Sequence, residues 1–545
     1  MPLVPTCFWR ATIMRYSAFL LLALTAAAAA QDKPAAKIPV GKDTTIVLGP
    51  LTQDGYVDYG RIVNERLGKG IRPEDNAMAS LVQAFGPASN GKPIPPLYFK
   101  MLGVAAPPAN ATYFIEFDDF YRKKYGANRD EVDEMSQRIS LAAQAPWTAK
   151  DNPEIAAWIK SQQKQLAIIV EASKRSRFFS PTAVEPENSG PKSAAPTQIA
   201  YQYAAQAIRG SYLALRTRAM LKVSEGQLES AWQDLIACRR LARLAERSGN
   251  LSQMMIGISG EWGTAQSILM FLSEARLTDQ QLKRCLADLR AISPRMTFAD
   301  YFDLSGQLDL LDGVQLFHRA AATDMRDPSD PLSSISALVK AQKASEVAKH
   351  LARATIDWGL IFRDQVRVSQ RFNRALHISE RPQRVDEFQK LRDDLNERAK
   401  ACYPVVKLIN DYLWWLPLDS IRIIRSMGLA LSVQELTVLV LPYVCDRYDS
   451  NEQIERNLYV AIALARFKLA QKRFPAKLAE LVPRYLNSVP DDIFSSKQLI
   501  YKRMADGYLL YSVGVNGKDD GGKNRDDDIL VDDICVRMPM PKPKN

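Results

Sequence analysis

The sequence predicts a mainly α-helical protein that ends in a small α+β module. Two observations predict the helices: apolar residues recur every three or four positions over most of the chain, and helix-start signals such as Asn152 before Pro153 are repeated along it. A third predicts the module. Strand-like alternation is found near the C-terminus, in "QLIYKR" and "GYLLYSV", where Asp506-Gly507 is a hairpin-turn signal.

The chain has 545 residues, too many for one compact core, so several domains are expected. The clearest boundary is the Pro-, Ser- and Gly-rich stretch "PTAVEPENSGPKSAAPT". The predicted organisation is a signal peptide at 1–30, an N-terminal helical domain at 31–180, a linker at 181–197, a helical domain at 198–450, an α+β module at 451–537 and a disordered tail at 538–545.

The N-terminus has the pattern of an export signal. The basic stretch "FWRATIMR" precedes the apolar run "YSAFLLLALTAAAAA", which ends in small residues before Gln31. This order predicts a secretory signal cleaved after Ala30, and therefore a periplasmic or extracellular protein. The alternative is an uncleaved N-terminal membrane anchor, although the apolar run is shorter than the ~20 residues of a typical span.

Charge limits the class of partner. The formal net charge is +11, or about +9 once Arg10 and Arg15 leave with the signal. Spread over the whole chain, this mild excess suits acidic partners such as envelope polymers or, by peripheral association, membrane head groups. No run of Lys and Arg with interleaved aromatic residues indicates a nucleic-acid groove, so we expect no nucleic-acid partner.

Five cysteines follow the signal, and they include no CxxC motif. Cys402 and Cys445 are a possible disulfide pair in an exported protein, but spacing alone does not establish the pairing. The favoured interpretation is that all five are ordinary buried thiols.

One helix pair resembles a tetratricopeptide repeat. The spacing of five residues, most of them small, carries the resemblance: Ala219, Gly226, Ala231, Leu235 and Cys238. It covers one copy, since no clean recurrence of the repeat length is found. A generic helical hairpin with a close crossing is the favoured alternative.

The C-terminal module resembles the C-terminal half of the major pseudopilin of type II secretion systems. The features that carry the resemblance are a helix ending in "KRFP", the segment "LAELVPRYL", the turn "VPDDIFS", the hairpin, and "YSVGVNGKDDGGKNRDDDI". They span roughly residues 455–530. The module, together with the segment "GIRPEDNA…QAFGP", also resembles large uncharacterised exported bacterial proteins.

In pseudopilins this final loop binds calcium, so the resemblance implies a calcium site here. By position, Asp526 and Asp528 match the family's paired aspartates, Asn516 stands where the family has Asp, and Asp520 is a plausible additional ligand. Oxygen ligands on a flexible loop suit Ca²⁺. Three consecutive aspartates repel one another unless a positive charge lies among them. The alternative is an acidic, solvated turn.

No catalytic motif is found. The sequence lacks HExxH, a P-loop, G-x-S-x-G and a G-x-G-x-x-G that follows a strand, and it has three histidines. The leading hypothesis is therefore a non-enzymatic interaction or scaffold protein of the bacterial envelope with a calcium-stabilised module. The alternatives are a hydrolase acting on envelope or extracellular polymers and an accessory component of a secretion system. A pseudopilin has an apolar N-terminal helix, but the corresponding helix here carries charges such as Glu455 and Arg456, so filament formation does not transfer with the resemblance.

Overall fold

The computed structural model describes residues 36–181, 194–322, 356–412 and 419–543. It is mainly helical with a small antiparallel sheet near the C-terminus, which confirms the mainly helical character of the predicted fold. The predicted signal peptide and residues 182–193 of the predicted linker lie outside the described residues.

The N-terminal region is a set of short helices around a two-stranded ribbon. Capping fixes several starts: Asn76 accepts from the Met78 N–H, and Asn128 with Glu131 forms a capping box. The elements are α1 Tyr59–Gly68, α2 Ala77–Phe85, β1 Ala88–Ser89, β2 Lys92–Pro93, α3 Pro96–Leu102, α4 Phe117–Tyr125, α5 Arg129–Ala142, α6 Pro153–Ser161 and α7 Gln163–Ala172.

The body consists of longer helices. The predicted capping box at Thr278 and Gln281 is confirmed at the start of α11. The helices are α8 Ala194–Ser224, α9 Leu228–Glu246, α10 Leu251–Glu274, α11 Asp279–Arg290, α12 Phe298–Tyr301, a π-helical turn Phe302–Gly306, α13 Gln307–Ala322, α14 Trp358–Leu376 and α15 Arg381–Tyr412. The helix α8 thus begins inside the segment that the sequence predicts as linker.

The C-terminal part contains one long helix and the sheet. The helix α16, Asp419–Gln471, passes without interruption through position 451, where the α+β module was predicted to begin. Strands β3 Ile500–Arg503, β4 Tyr508–Ser512 and β5 Ile534–Met538 form an antiparallel sheet in the order β3-β4-β5. The predicted hairpin is confirmed: Arg503 pairs with Tyr508, and the Met504 N–H donates to Gly507 O at 2.9 Å.

One apolar core extends through most of the molecule. It includes Leu81 of α2, Trp232 of α9, Leu458 of α16 and Val536 of β5, each 2% exposed or less. The terminal sheet therefore packs against the same core as the helices of the body. The domain boundaries remain predictions, because a shared core does not say which parts fold alone.

The helices α8 and α9 form an antiparallel hairpin. Ala219, Ala231, Leu235 and Cys238 are fully buried, and Gly226 has φ +73° in the turn between them. The left-handed conformation at the turn favours glycine. This arrangement is common to the tetratricopeptide pair and to the generic hairpin.

Four charged side chains meet where α9, α10 and α16 come together, and we call them the ion seam: the buried Arg239, Arg243 and Glu261, and the partly buried Glu455. Arg239 Nη1 lies 2.5 Å from Glu261 Oε2, and Arg243 Nε lies 2.8 Å from Glu261 Oε1. Both arginines also contact Glu455. The N–H groups of Arg239 are not aligned for hydrogen bonds, so its pairs act mainly through charge. The seam holds equal numbers of positive and negative charges.

All five cysteines of the described region are free thiols. Cys402 and Cys445 belong to the same apolar cluster, between α15 and α16. Across residues 36–181, 194–322, 356–412 and 419–543, no helix combines the length and apolar composition needed to cross a bilayer.

Candidate functional site

The acidic loop connects β4 to β5 and comprises residues 513–533. Glycines hold it close to the sheet. Gly514 has φ +67°, and a Cβ there would lie 2.2 Å from Asp532 O, so only glycine fits. Gly522 has φ +82° and lies against Leu509 of β4. The two ends of the loop are therefore brought next to each other.

Three of the loop's oxygen-bearing side chains meet at this junction. Asn516 Nδ2 donates to Asp520 Oδ2 at 2.9 Å, and the Asn516 backbone N–H faces Asp532 Oδ2 at 3.2 Å. The Asp532 N–H donates to the same Asp520 oxygen at 3.2 Å. Burial raises the pKa of Asp532, and the Asp520 carboxylate raises it further. The Asn516 N–H and Arg525 lower this pKa, but they do not cancel the increase. Asn516 and Asp520, both predicted ligands, are thus neighbours.

Asp533 adds a third carboxyl beside this junction, and it is 1% exposed. Its Oδ2 accepts from the Gly522 N–H at 2.7 Å, whereas its Oδ1 is buried without a hydrogen-bond partner. Burial raises the pKa of Asp533 to about 6 although the backbone N–H groups of Gly522 and Asp520 lower it, and the neighbouring Asp519 and Asp520 carboxylates add to the increase. A buried carboxylate oxygen without a donor is costly unless a proton or a cation compensates it.

The other two predicted ligands lie in a different part of the loop. Asp526 Oδ2 faces Asn524 Nδ2 at 3.4 Å, and Asp528 Oδ1 accepts from the Leu530 N–H at 3.0 Å. Both are exposed, and no hydrogen bond between described residues joins either to Asn516 or Asp520. Between them, Asp527 forms an ion pair with Arg537 of β5. The structure therefore divides the four predicted ligands into two pairs.

Sequence reasoning missed Asp532 and Asp533. They lie in "DILVDDICV", directly before β5, which begins at Ile534. The available signal was a pair of acids directly before a buried strand. Carboxylates at a strand end lie beside the loops that meet there, which is a common position for functional residues.

The oxygen-bearing side chains of the acidic loop are of the types that bind Ca²⁺, but their arrangement matches a calcium site only in part. Within the described residues, no three His, Cys, Asp or Glu side chains are grouped closely enough to hold a metal ion. Ca²⁺ also accepts amide and backbone oxygens on flexible loops. The Asn516 amide presents its nitrogen to Asp520, an orientation that a cation at this point would reverse. The orphaned Asp533 oxygen lies beside this group.

The tip of the loop is apolar. Ile529 and Leu530 are each 84% exposed, more than any other large hydrophobic residue of the described region. Single exposed apolar side chains are normal, but two adjacent ones on an acidic loop suit a site of contact with another molecule.

A second group of carboxylates lies at the start of α13. Asp309 Oδ2 accepts from the Tyr301 hydroxyl at 2.8 Å, across the π-helical turn, and Asp312 Oδ1 accepts from Gln315 Nε2 at 3.0 Å. Arg319, which forms an ion pair with Asp54, also lies near enough to Asp312 to lower its pKa. Burial raises the pKa of Asp309 to about 7, and it also raises the pKa of Asp312.

Comparison with known proteins gives no further guide to either group. No protein-family model, curated protein or solved structure matches the chain.

Proposed function

We propose that the chain is an exported, non-enzymatic interaction or scaffold protein of the bacterial envelope, with a C-terminal module stabilised by Ca²⁺. One observation carries this proposal: Asp520 and Asp532 converge on Asn516 beside the buried carboxylate of Asp533. The exposed tip formed by Ile529 and Leu530 supports an interaction role, because the same loop would present it.

At the level of fold, the proposal includes a pseudopilin-like module and a tetratricopeptide-like hairpin. The order of helix, hairpin and third strand in the C-terminal region is compatible with the first. The buried small residues of α8 and α9 are compatible with the second. The long helix α16 is shared with the body, so we expect the module to act as part of the whole chain.

The residues that would hold the ion are Asp520, Asp532 and Asp533, with the Asn516 amide oxygen and backbone carbonyls. A bound divalent cation supplies positive charge that offsets the carboxylates and ties the two ends of the loop together. Asp526 and Asp528 would contribute only if the loop tip folded back, so we give them the smaller role.

The test is thermal unfolding of the full chain in millimolar Ca²⁺, in millimolar Mg²⁺ and in chelator. Ca²⁺ at 100 times its Kd should add about 2.7 kcal/mol to the free energy of unfolding. We expect Mg²⁺ to add less, since it requires stricter octahedral geometry than a flexible loop offers. The variants Asp520→Asn and Asp532→Asn should remove most of the Ca²⁺ effect.

Asp506→Asn is the matched control. Asp506 is an exposed acid in the hairpin turn of the same module, and Asn-Gly suits that turn as well as Asp-Gly. It should keep the full response to Ca²⁺. An equal midpoint in Ca²⁺ and chelator for the parent chain would refute the calcium site and leave the loop a solvated turn.

Export is a separate part of the proposal and has its own test. The basic and apolar pattern of residues 1–30 supports it. Mass spectrometry of the chain recovered from the periplasmic fraction or the medium should give Gln31 as the first residue. A full-length chain in the membrane fraction would favour the anchor instead.

A hydrolase is the second candidate, and Asp309 with Asp312 favours it. A carboxyl group that titrates near neutral pH suits a general acid or base. Such shifted carboxyls occur at functional sites more often than elsewhere, although structural networks also produce them. Asp309 would hold the proton, with the Tyr301 hydroxyl orienting its carboxylate form.

The hydrolase proposal is tested with labelled peptidoglycan and labelled casein as two polymer probes. Release of label by the parent chain that Asp309→Asn abolishes, with an unchanged circular dichroism spectrum, would support it. No release from either polymer, or equal release by the variant, would count against Asp309 as the acid–base group.

A further inference from the structure

Arg216 of α8 differs from the arginines around it. Arg218, two residues later, donates two hydrogen bonds to Asp234 at 2.6 and 2.9 Å, and Arg239 and Arg243 belong to the ion seam. Arg216 is half-buried between helices, yet no carboxylate of the described residues forms an ion pair with it. Charges that are desolvated are normally paired, and burial is the main cause of the lowered pKa of Arg216, so the lack of a carboxylate partner needs an explanation.

The guanidinium of Arg216 is fixed in place. Its Nε donates to Ser267 Oγ at 2.8 Å, and Ser267 Oγ in turn lies 3.0 Å from Ala143 O. Gly263 of α10 makes room for it, because a Cβ at that position would lie 2.6 Å from Arg216 Nη1. The Arg216 side chain is thus held at its Nε by Ser267, and its position depends on the absence of a side chain at Gly263.

The other edge of the guanidinium is available. Neither Nη1 nor Nη2 has a hydrogen-bond partner among the described residues, and the residue is partly exposed. Burial lowers the pKa of Arg216, and the titratable group that opposes this is the Cys238 thiol. Burial raises the pKa of that thiol to about 12, so it is neutral and leaves the arginine's charge uncompensated.

We propose that Arg216 is an anion-binding residue that receives a carboxylate or phosphate group of a ligand on its two Nη atoms. A planar fork with two free donors matches the two oxygens of such a group. The surrounding helices lower the local dielectric and strengthen the contact. This site is independent of the acidic loop and of the proposed role of calcium.

The test measures the thermal midpoint of the full chain against rising phosphate or acetate, at constant ionic strength made up with chloride. We expect a saturable rise with one of the two anions, which identifies the group. Phosphate also stabilises proteins without binding a site, so the response must be compared between variants. Arg216→Gln should raise the apparent Kd at least about tenfold, the low end for loss of a charge-assisted hydrogen bond.

Two further variants separate binding from folding. Arg209→Gln removes an exposed arginine of the same helix and should leave the response unchanged. Gly263→Ala keeps the arginine and favours helix, but its methyl group displaces Nη1, so it should weaken anion binding without loss of fold. The same response in the parent chain and Arg216→Gln would overturn the proposal.

A measurement on the unaltered chain covers the case in which Arg216→Gln does not fold. Phenylglyoxal modifies accessible arginines, and peptide mapping reports each site. We expect Arg216 to react, and the effective anion to slow its reaction several-fold while Arg209 is unaffected. An Arg216 that does not react, or that neither anion protects, would overturn the proposal.

Discussion

The ion seam and the acidic loop both group charged side chains, but they differ in how the positive and negative charges are matched. In the seam, two arginines face two glutamates, and Glu261 contacts both arginines. In the loop, Asp520 and Asp532 both contact Asn516, the Asp533 carboxyl accepts from the Gly522 N–H, and Arg537 pairs elsewhere, with Asp527. The seam therefore carries its own counter-charges, whereas burial raises the pKa of two carboxyls of the loop, Asp532 and Asp533, as it would where charge is only partly compensated.

The largest expected effect comes from breaking the balance of the seam. Glu261→Gln leaves two buried guanidinium groups with one carboxylate, and loss of one partner of a buried pair costs about 3–5 kcal/mol. Denaturant unfolding measures this loss. Glu65→Gln, in the exposed pair with Arg61, should change the free energy of unfolding by less than about 1 kcal/mol. A similar small change for Glu261→Gln would mean that the seam is solvated.

The loop should respond to charge removal in the opposite direction. Asp533→Asn removes a buried charge that lacks a full set of donors, so without Ca²⁺ the chain should unfold at the same temperature or a higher one. In Ca²⁺ the variant should lose most of the gain that the parent chain shows. Differential scanning calorimetry of the parent chain and the variant, with Ca²⁺ and with chelator, measures both effects. A clear loss of stability in chelator would show that the carboxylate is satisfied within the protein.

pH provides the next contrast. The pKa of Asp533 is about 6 in the folded chain, above the ordinary value of about 3.9 for an unfolded aspartate. The folded state therefore holds a proton more tightly, and its contribution to stability without metal is lost as pH rises from about 4 to 6. Ca²⁺ competes with that proton. The difference in midpoint between Ca²⁺ and chelator should be larger at pH 7.5 than at pH 5, and Asp533→Asn should flatten this dependence.

The smallest expected effect distinguishes the two pairs of predicted ligands. Asp526→Asn and Asp528→Asn alter exposed carboxylates away from the junction, so each should weaken Ca²⁺ binding less than Asp520→Asn does. Calorimetric titration ranks the affinities. The reverse order would mean that the loop tip folds onto the ion, as the pseudopilin resemblance implies.

The sequence predicts the helical body and the hairpin because both depend on local signals. Thr278 with Gln281 marks a helix start, and Asp506-Gly507 marks a turn, without reference to distant residues. The grouping of carboxylates is different. Asp532 reaches Asn516 only because Gly514 lets the two ends of the loop approach, and this closure is a tertiary property.

The ion seam could not be predicted from the sequence for the same reason. Glu455 lies on an amphipathic stretch of α16 where a charge is expected to face solvent. It contacts Arg239 and Arg243, more than two hundred residues earlier in the chain. Periodicity identifies the face of a helix but not the partner that covers it.

The most direct measurement is hydrogen–deuterium exchange of the full chain, with Ca²⁺ and with chelator, at pH 7.5. We expect Ca²⁺ to slow exchange of the amides of residues 514–533 and to leave those around Glu261 and Glu455 unchanged, because the proposed ion binds in the loop and the seam carries its own counter-charges. Equal exchange of the loop in both conditions would contradict the account.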